Sequence, residues 1–140
     1  MDTTNFINLL NNISKESIPV IDNSISLEDF VSIDISKNNK DLLGFDTSSS
    51  KEWEKYIESF IEKSGAKVAF GGYLEQRDLY DRSHYFNNQT KDNQRNIHLG
   101  IDLWCKENTK VLAVLDGEIH SFKNNNNYGD YGPTIILKHQ

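Results

Sequence analysis

Within the segment RNIHLGIDLW, residues 95–104, a histidine and an aspartate stand four positions apart, His98 and Asp102, with Gly100 midway between them. Imidazole nitrogen and carboxylate oxygen are both ordinary zinc ligands. Burying such a pair against a cavity makes sense where a cation compensates it. The alternation of Ile97, Leu99, Ile101 and Leu103 with His98, Gly100, Asp102 and Trp104 predicts one β-strand carrying both polar groups on the same face. Strand geometry then sets an obstacle, because residues four apart on a straight strand are separated by ~13 Å, too far to share one metal. Shared coordination needs a bend or bulge, and Gly100 is the residue that permits it. Without that bend the pair is two polar residues on a strand.

The other reactive side chains are scattered. His84 lies among polar residues in DRSHYF and reads as a loop histidine; His120 reads as a partly exposed cross-strand neighbour. His139 becomes a ligand only if the chain end folds back onto His98. Cys105 has no adjacent histidine and no second cysteine, which argues against a nucleophile and excludes an intramolecular disulfide. Residues 73–85, YLEQRDLYDRSHY, interleave arginines, tyrosines and acids. They suit either the lining of a peptide or glycan groove or a solvated connector. Arg95 is either a contact supporting the site or a plain surface residue. The Asn- and Gly-rich stretch 124–132 reads as a loop of the kind that rims grooves.

The elements that position these groups divide into two halves. Phe6, Leu9, Leu10 and Ile13 follow helical spacing after a cap at Thr3 or Thr4. Val31, Ile33 and Ile35 alternate as a half-buried strand does, and residues 37–40, KNNK, follow as a turn. A helix is predicted over 51–64, with Ser49 and Glu52 as a capping box, Gly65 as its stop and a stripe of Trp53, Tyr56, Ile57, Phe60 and Ile61 facing the core. From Lys67 the period changes to two, with Val68 and Phe70 alternating before Gly71-Gly72. Residues 111–115 read as a strand leading through Asp116-Gly117 into a hairpin partner at 118–122, and Thr134 to Leu137 as another strand. The expected class is α+β: a small, mainly helical amino-terminal region over 1–66, then a mostly antiparallel β domain over 67–140.

Composition narrows the function. The chain of 140 residues carries 15 basic and 21 acidic side chains, a net charge of -6, so the basic footprint of a nucleic-acid binder is missing. No apolar run approaches the ~18–20 residues that span a bilayer. The start, MDTTNFINLLNNIS, has neither a basic n-region nor a continuous apolar run, so no secretory signal is expected in the sequence as given.

The segment His98-Leu99-Gly100-Ile101-Asp102 resembles the H-x-G-x-D signature of lysostaphin/LytM-type zinc endopeptidases. The polar turn 106–110, the strand and turn VLAVLDG at 111–117 and the segment GDYGPTIILKH at 129–139 also resemble that family in order. The resemblance covers residues 71 to the end. It implies a partial lysostaphin-type sheet, Zn2+ as cofactor, and His98 and Asp102 as two of three protein ligands. It also implies a peptidoglycan peptide, or another peptide, as substrate. That substrate lies outside the cytoplasm, whereas residues 1–30 show no export signal. The family's later H-x-H pair does not occur in the sequence. The expectation is therefore half a metal site in an incomplete chain, inactive by itself and prone to self-association through an unpaired sheet edge. The alternative is a non-catalytic interaction module on the same fold.

Overall fold

The structure, a computed structural model, describes residues 2–13, 15, 18–77, 96–127 and 130–139. Two α-helices and seven short strands occur among them, giving an α+β protein in which antiparallel pairing dominates. Helix α1 (Thr3–Ile13) forms where its spacing predicts. Thr3 and Thr4 lie inside its first turn instead of capping it, because the Phe6 amide already donates to the carbonyl of Asp2. None of its residues is buried, and Phe6, Leu9 and Leu10 stay exposed.

The core is built by strands from both sides of residue 66. Strand β1 (Phe30–Ser32) runs parallel to β2 (Val68–Gly71), which pairs antiparallel with β5 (Asp102–Trp104). Ile33 and Ile35 continue the inward alternation begun by Val31 and are buried, with Ala69 and Ile57, at the centre of the apolar cluster. Helix α2 (Ser50–Ser64) covers this cluster with Ile57 and the partly buried Trp53, Tyr56, Phe60 and Ile61. Phe45 lies on top, edge-on to Trp53 at 5.2 Å and stacked on Tyr56 at 5.1 Å. The Trp53 indole nitrogen donates to the Thr47 carbonyl, so the large ring packs partly buried without an unpaired N–H.

Ser49 caps α2 by accepting from the Glu52 amide, and Gly65 ends it in the left-handed region at φ 70°. Only half of the capping box forms. The Glu52 carboxylate accepts from the Asp46 amide at 2.7 Å, tying down the preceding turn instead of the cap residue.

Two expected strands differ. The stretch from Ile97 to Trp104 is not continuous: β4 (Ile97–His98) pairs with β3 (Glu75–Gln76), while β5 belongs to the three-stranded sheet. The chain turns between them at Leu99–Ile101, and the apolar residues Ile97, Leu99 and Ile101 face outward. Residues 111–115 contribute only an isolated bridge, Val111 to Ile21. Strand β6 (Glu118–Asn125) instead pairs with β7 (Gly132–Lys138), across the Asn-rich loop and not across Asp116-Gly117. The longer ladder available between β6 and β7 satisfies more backbone groups than a hairpin closed at the Asp-Gly pair.

Candidate metal centre

The turn from Gly72 to Glu75 links β2 to β3, closed by the Glu75 amide donating to the Gly72 carbonyl at 3.1 Å. Gly72 adopts φ 100°, a conformation that L side chains rarely take. A Cβ built there would fall among Arg77 Nη2, His98 Nδ1 and Asp102 Oδ2. The glycine is needed for space as well as for backbone freedom.

The β3–β4 pairing sets Glu75 directly opposite His98. The bend after His98 then returns the chain so that Asp102 starts β5 beside Gly71. His98 Nε2 and Asp102 Oδ1 thereby come within 3.6 Å. That is too long for a hydrogen bond. It is close to the about 3.3–3.4 Å edge between two tetrahedral zinc ligands bonded at ~2.0–2.2 Å. His98 Nδ1 lies 3.0 Å from the Gly72 carbonyl oxygen. A carbonyl can only accept, so Nδ1 carries a proton, and Nε2 is the ring nitrogen that faces Asp102. The donor set and its spacing fit a cation held between the two side chains.

Arg77 completes the cluster. It is buried, 6% exposed, with Nε 2.6 Å from Glu75 Oε2 and Nη2 2.7 Å from Asp102 Oδ2. The second contact is an ion pair without hydrogen-bond alignment. Glu75 is anchored in turn, its Oε1 accepting from the amide of buried Ile35 at 2.9 Å. Burial alone would pull the Arg77 pKa down, but the hydrogen bond to Glu75 and the charges of Glu75 and Asp102 outweigh it and hold the guanidinium above its usual value. Both Arg77 and Asp102 line a groove of about 1670 Å³ between α2 and β5, walled in part by Ile35, Ile57 and Trp104.

The remaining expected site residues lie elsewhere. His120 is exposed on β6 at a bulge, with Nδ1 3.1 Å from Ser121 Oγ. His139 is held at the Asp116–Gly117 turn, its Nδ1 2.9 Å from the Asp116 carbonyl oxygen, and does not fold back onto His98. Cys105 is free and half-buried. His84, Arg95 and residues 78–85 of the mixed segment lie outside the described residues. Among the described residues no group of three or more His, Cys, Asp or Glu could hold a metal.

Glu75 and Arg77 were not singled out by sequence reasoning. For Arg77 the connector reading fails, because it is buried. The available signal was their opposite charge at i and i+2, which places both on one face of a strand. No helix among the described residues is long and apolar enough to cross a membrane. No family model matches the sequence, and neither the curated proteins nor the solved structures provide a match.

Proposed function

We propose that residues 67–140 form the part of a zinc-dependent peptide hydrolase that carries His98 and Asp102 as two metal ligands, similar to the lysostaphin/LytM type. The observation that carries this reading is the 3.6 Å approach of His98 Nε2 to Asp102 Oδ1, with Nδ1 committed to the Gly72 carbonyl. The chemistry supplied by zinc at such a pair, when bound, is Lewis acidity towards a carbonyl oxygen and a lowered pKa for water. The chain's own contribution is to direct Nδ1 of the imidazole to the Gly72 carbonyl, to fix the carboxylate with Arg77, and to place that carboxylate beside a groove. A peptide in that groove would meet apolar walls and the charged floor at Arg77 and Asp102. A peptidoglycan peptide is the substrate class suggested by the resemblance.

A second reading, a non-catalytic interaction module, is favoured by the β6–β7 hairpin, which exposes Ile119, Phe122 and Ile135. Zinc binding separates the two. In competition with a chromophoric zinc chelator, the parent chain is expected to take up one zinc ion, and His98→Ala and Asp102→Ala each to lose at least about tenfold in affinity. Equal binding by the parent and both variants overturns the metal reading and leaves the module.

A further inference from the structure

Building on the metal reading above, we infer that Arg77 is a positioning residue for Asp102, which occupies Oδ2 so that Oδ1 alone is offered opposite His98 Nε2. Three features of the cluster lead there. Arg77 is held at both ends: its amide donates to the Asn96 carbonyl at 2.8 Å, and its guanidinium bridges Glu75 and Asp102. The support behind it is continuous with the core, from the buried Ile35 amide through Glu75 Oε1 and Oε2 to Arg77 Nε. The two oxygens of Asp102 are also divided between partners, Oδ2 at 2.7 Å from Arg77 Nη2 and Oδ1 at 3.6 Å from His98 Nε2.

A guanidinium beside a cation site could repel the cation instead. Glu75 removes that objection, because its carboxylate at 2.6 Å offsets the charge of Arg77. The carboxylate of Asp102 is then left as the net charge facing His98. A carboxylate pinned through one oxygen can bind a metal through one oxygen only. That arrangement suits zinc, which accepts four compact ligands. It disfavours cations for which oxygen-rich, chelating carboxylates are the natural partners. Arg77 therefore sets metal preference as well as affinity. Lysine cannot replace it, because its compact ammonium lacks the extended planar fork that puts Nε 2.6 Å from Glu75 while Nη2 stands 2.7 Å from Asp102.

The test measures Zn2+ by chelator competition and Mn2+ by the electron paramagnetic resonance signal of the free ion, on the full chain. Arg77→Gln is expected to weaken Zn2+ about tenfold and to leave Mn2+ unchanged or tighter, so that the Zn2+:Mn2+ preference falls. Arg77→Lys is expected to follow the glutamine variant and not the parent. A merely structural role would lower both metals alike. Equal losses for the two ions, an unchanged Zn2+ affinity, or tighter Zn2+ binding in Arg77→Gln overturns the inference. Circular dichroism checks folding, and should Arg77→Gln be unfolded, Glu75→Gln with Arg77→Met removes both members of the buried pair and is read by the same ratio. If the parent binds zinc no better than His98→Ala, the metal reading itself fails, and this inference with it. If the parent binds zinc and the ratio does not move, only the role of Arg77 fails.

Discussion

At the residue scale the cluster depends on what Gly72 lacks. Its φ of 100° and the missing Cβ let three polar side chains converge on one point, and its carbonyl accepts from both the Glu75 amide and His98 Nδ1. Gly65 is the natural comparison, since it shares a positive φ of 70° but has nothing within 4 Å of a built Cβ. Gly72→Ala and Gly65→Ala are each expected to cost about 1–3 kcal/mol in urea unfolding for the backbone conformation. Gly72→Ala is expected at the upper end and to abolish zinc retention, whereas Gly65→Ala leaves zinc binding intact. Loss of zinc binding in both would show that the metal site follows general stability and not the local packing of Gly72. The Gly71-Gly72 pair was visible in the sequence as the end of a strand. Its role in the site was not, because it depends on a tertiary approach by residues 5, 26 and 30 positions away from Gly72.

At the element scale, what was legible followed local rules. Helix α2 starts and stops where Ser49 and Gly65 place its ends, and its stripe faces the core. Ser49→Ala is expected to destabilise the fold by about 1 kcal/mol. Ser50→Ala, one residue inside the helix, is expected to change it by less than about 0.5 kcal/mol. Chemical denaturation of the two variants checks this, and equal effects would remove Ser49 from the capping role. The strands were harder to read. Period-two alternation over Ile97–Leu103 correctly separated the polar face from the apolar one, but it joined two strands that belong to different sheets. Alternation reports which way side chains point along an extended chain. It does not report a bend that keeps the alternation while changing the pairing partner. The bend at Leu99–Ile101 converts a ~13 Å straight-strand separation into a site, and Gly100 marked its place in advance.

At the scale of the whole molecule, the sheet and core join the two halves that composition and periodicity had set apart. Strand β1 and Ile33, Ile35 and Ile57 come from the first half, and β2, β5, Ala69 and Trp104 from the second. Parallel pairing of β1 with β2 across α2 is a long-range contact that no local pattern announces. The same long-range pairing carries the site. Glu75 is fixed by Ile35 of the first half, Arg77 by Glu75, and Asp102 by Arg77, so the proposed ligand pair is supported from the core outward. His98, Asp102 and the glycine between them were legible in the sequence, but the buried support was legible only as a stretch of mixed charge.

The central claim is that one cation sits between His98 Nε2 and Asp102 Oδ1. X-ray absorption at the zinc edge of the zinc-loaded chain tests it most directly. The expected spectrum has nitrogen and oxygen scatterers at about 2.0–2.2 Å and the outer-shell pattern of a single imidazole, which disappears in His98→Ala. A sulfur scatterer at about 2.3 Å would place the metal on Cys105. That result, or an imidazole pattern that survives in His98→Ala, would contradict the account.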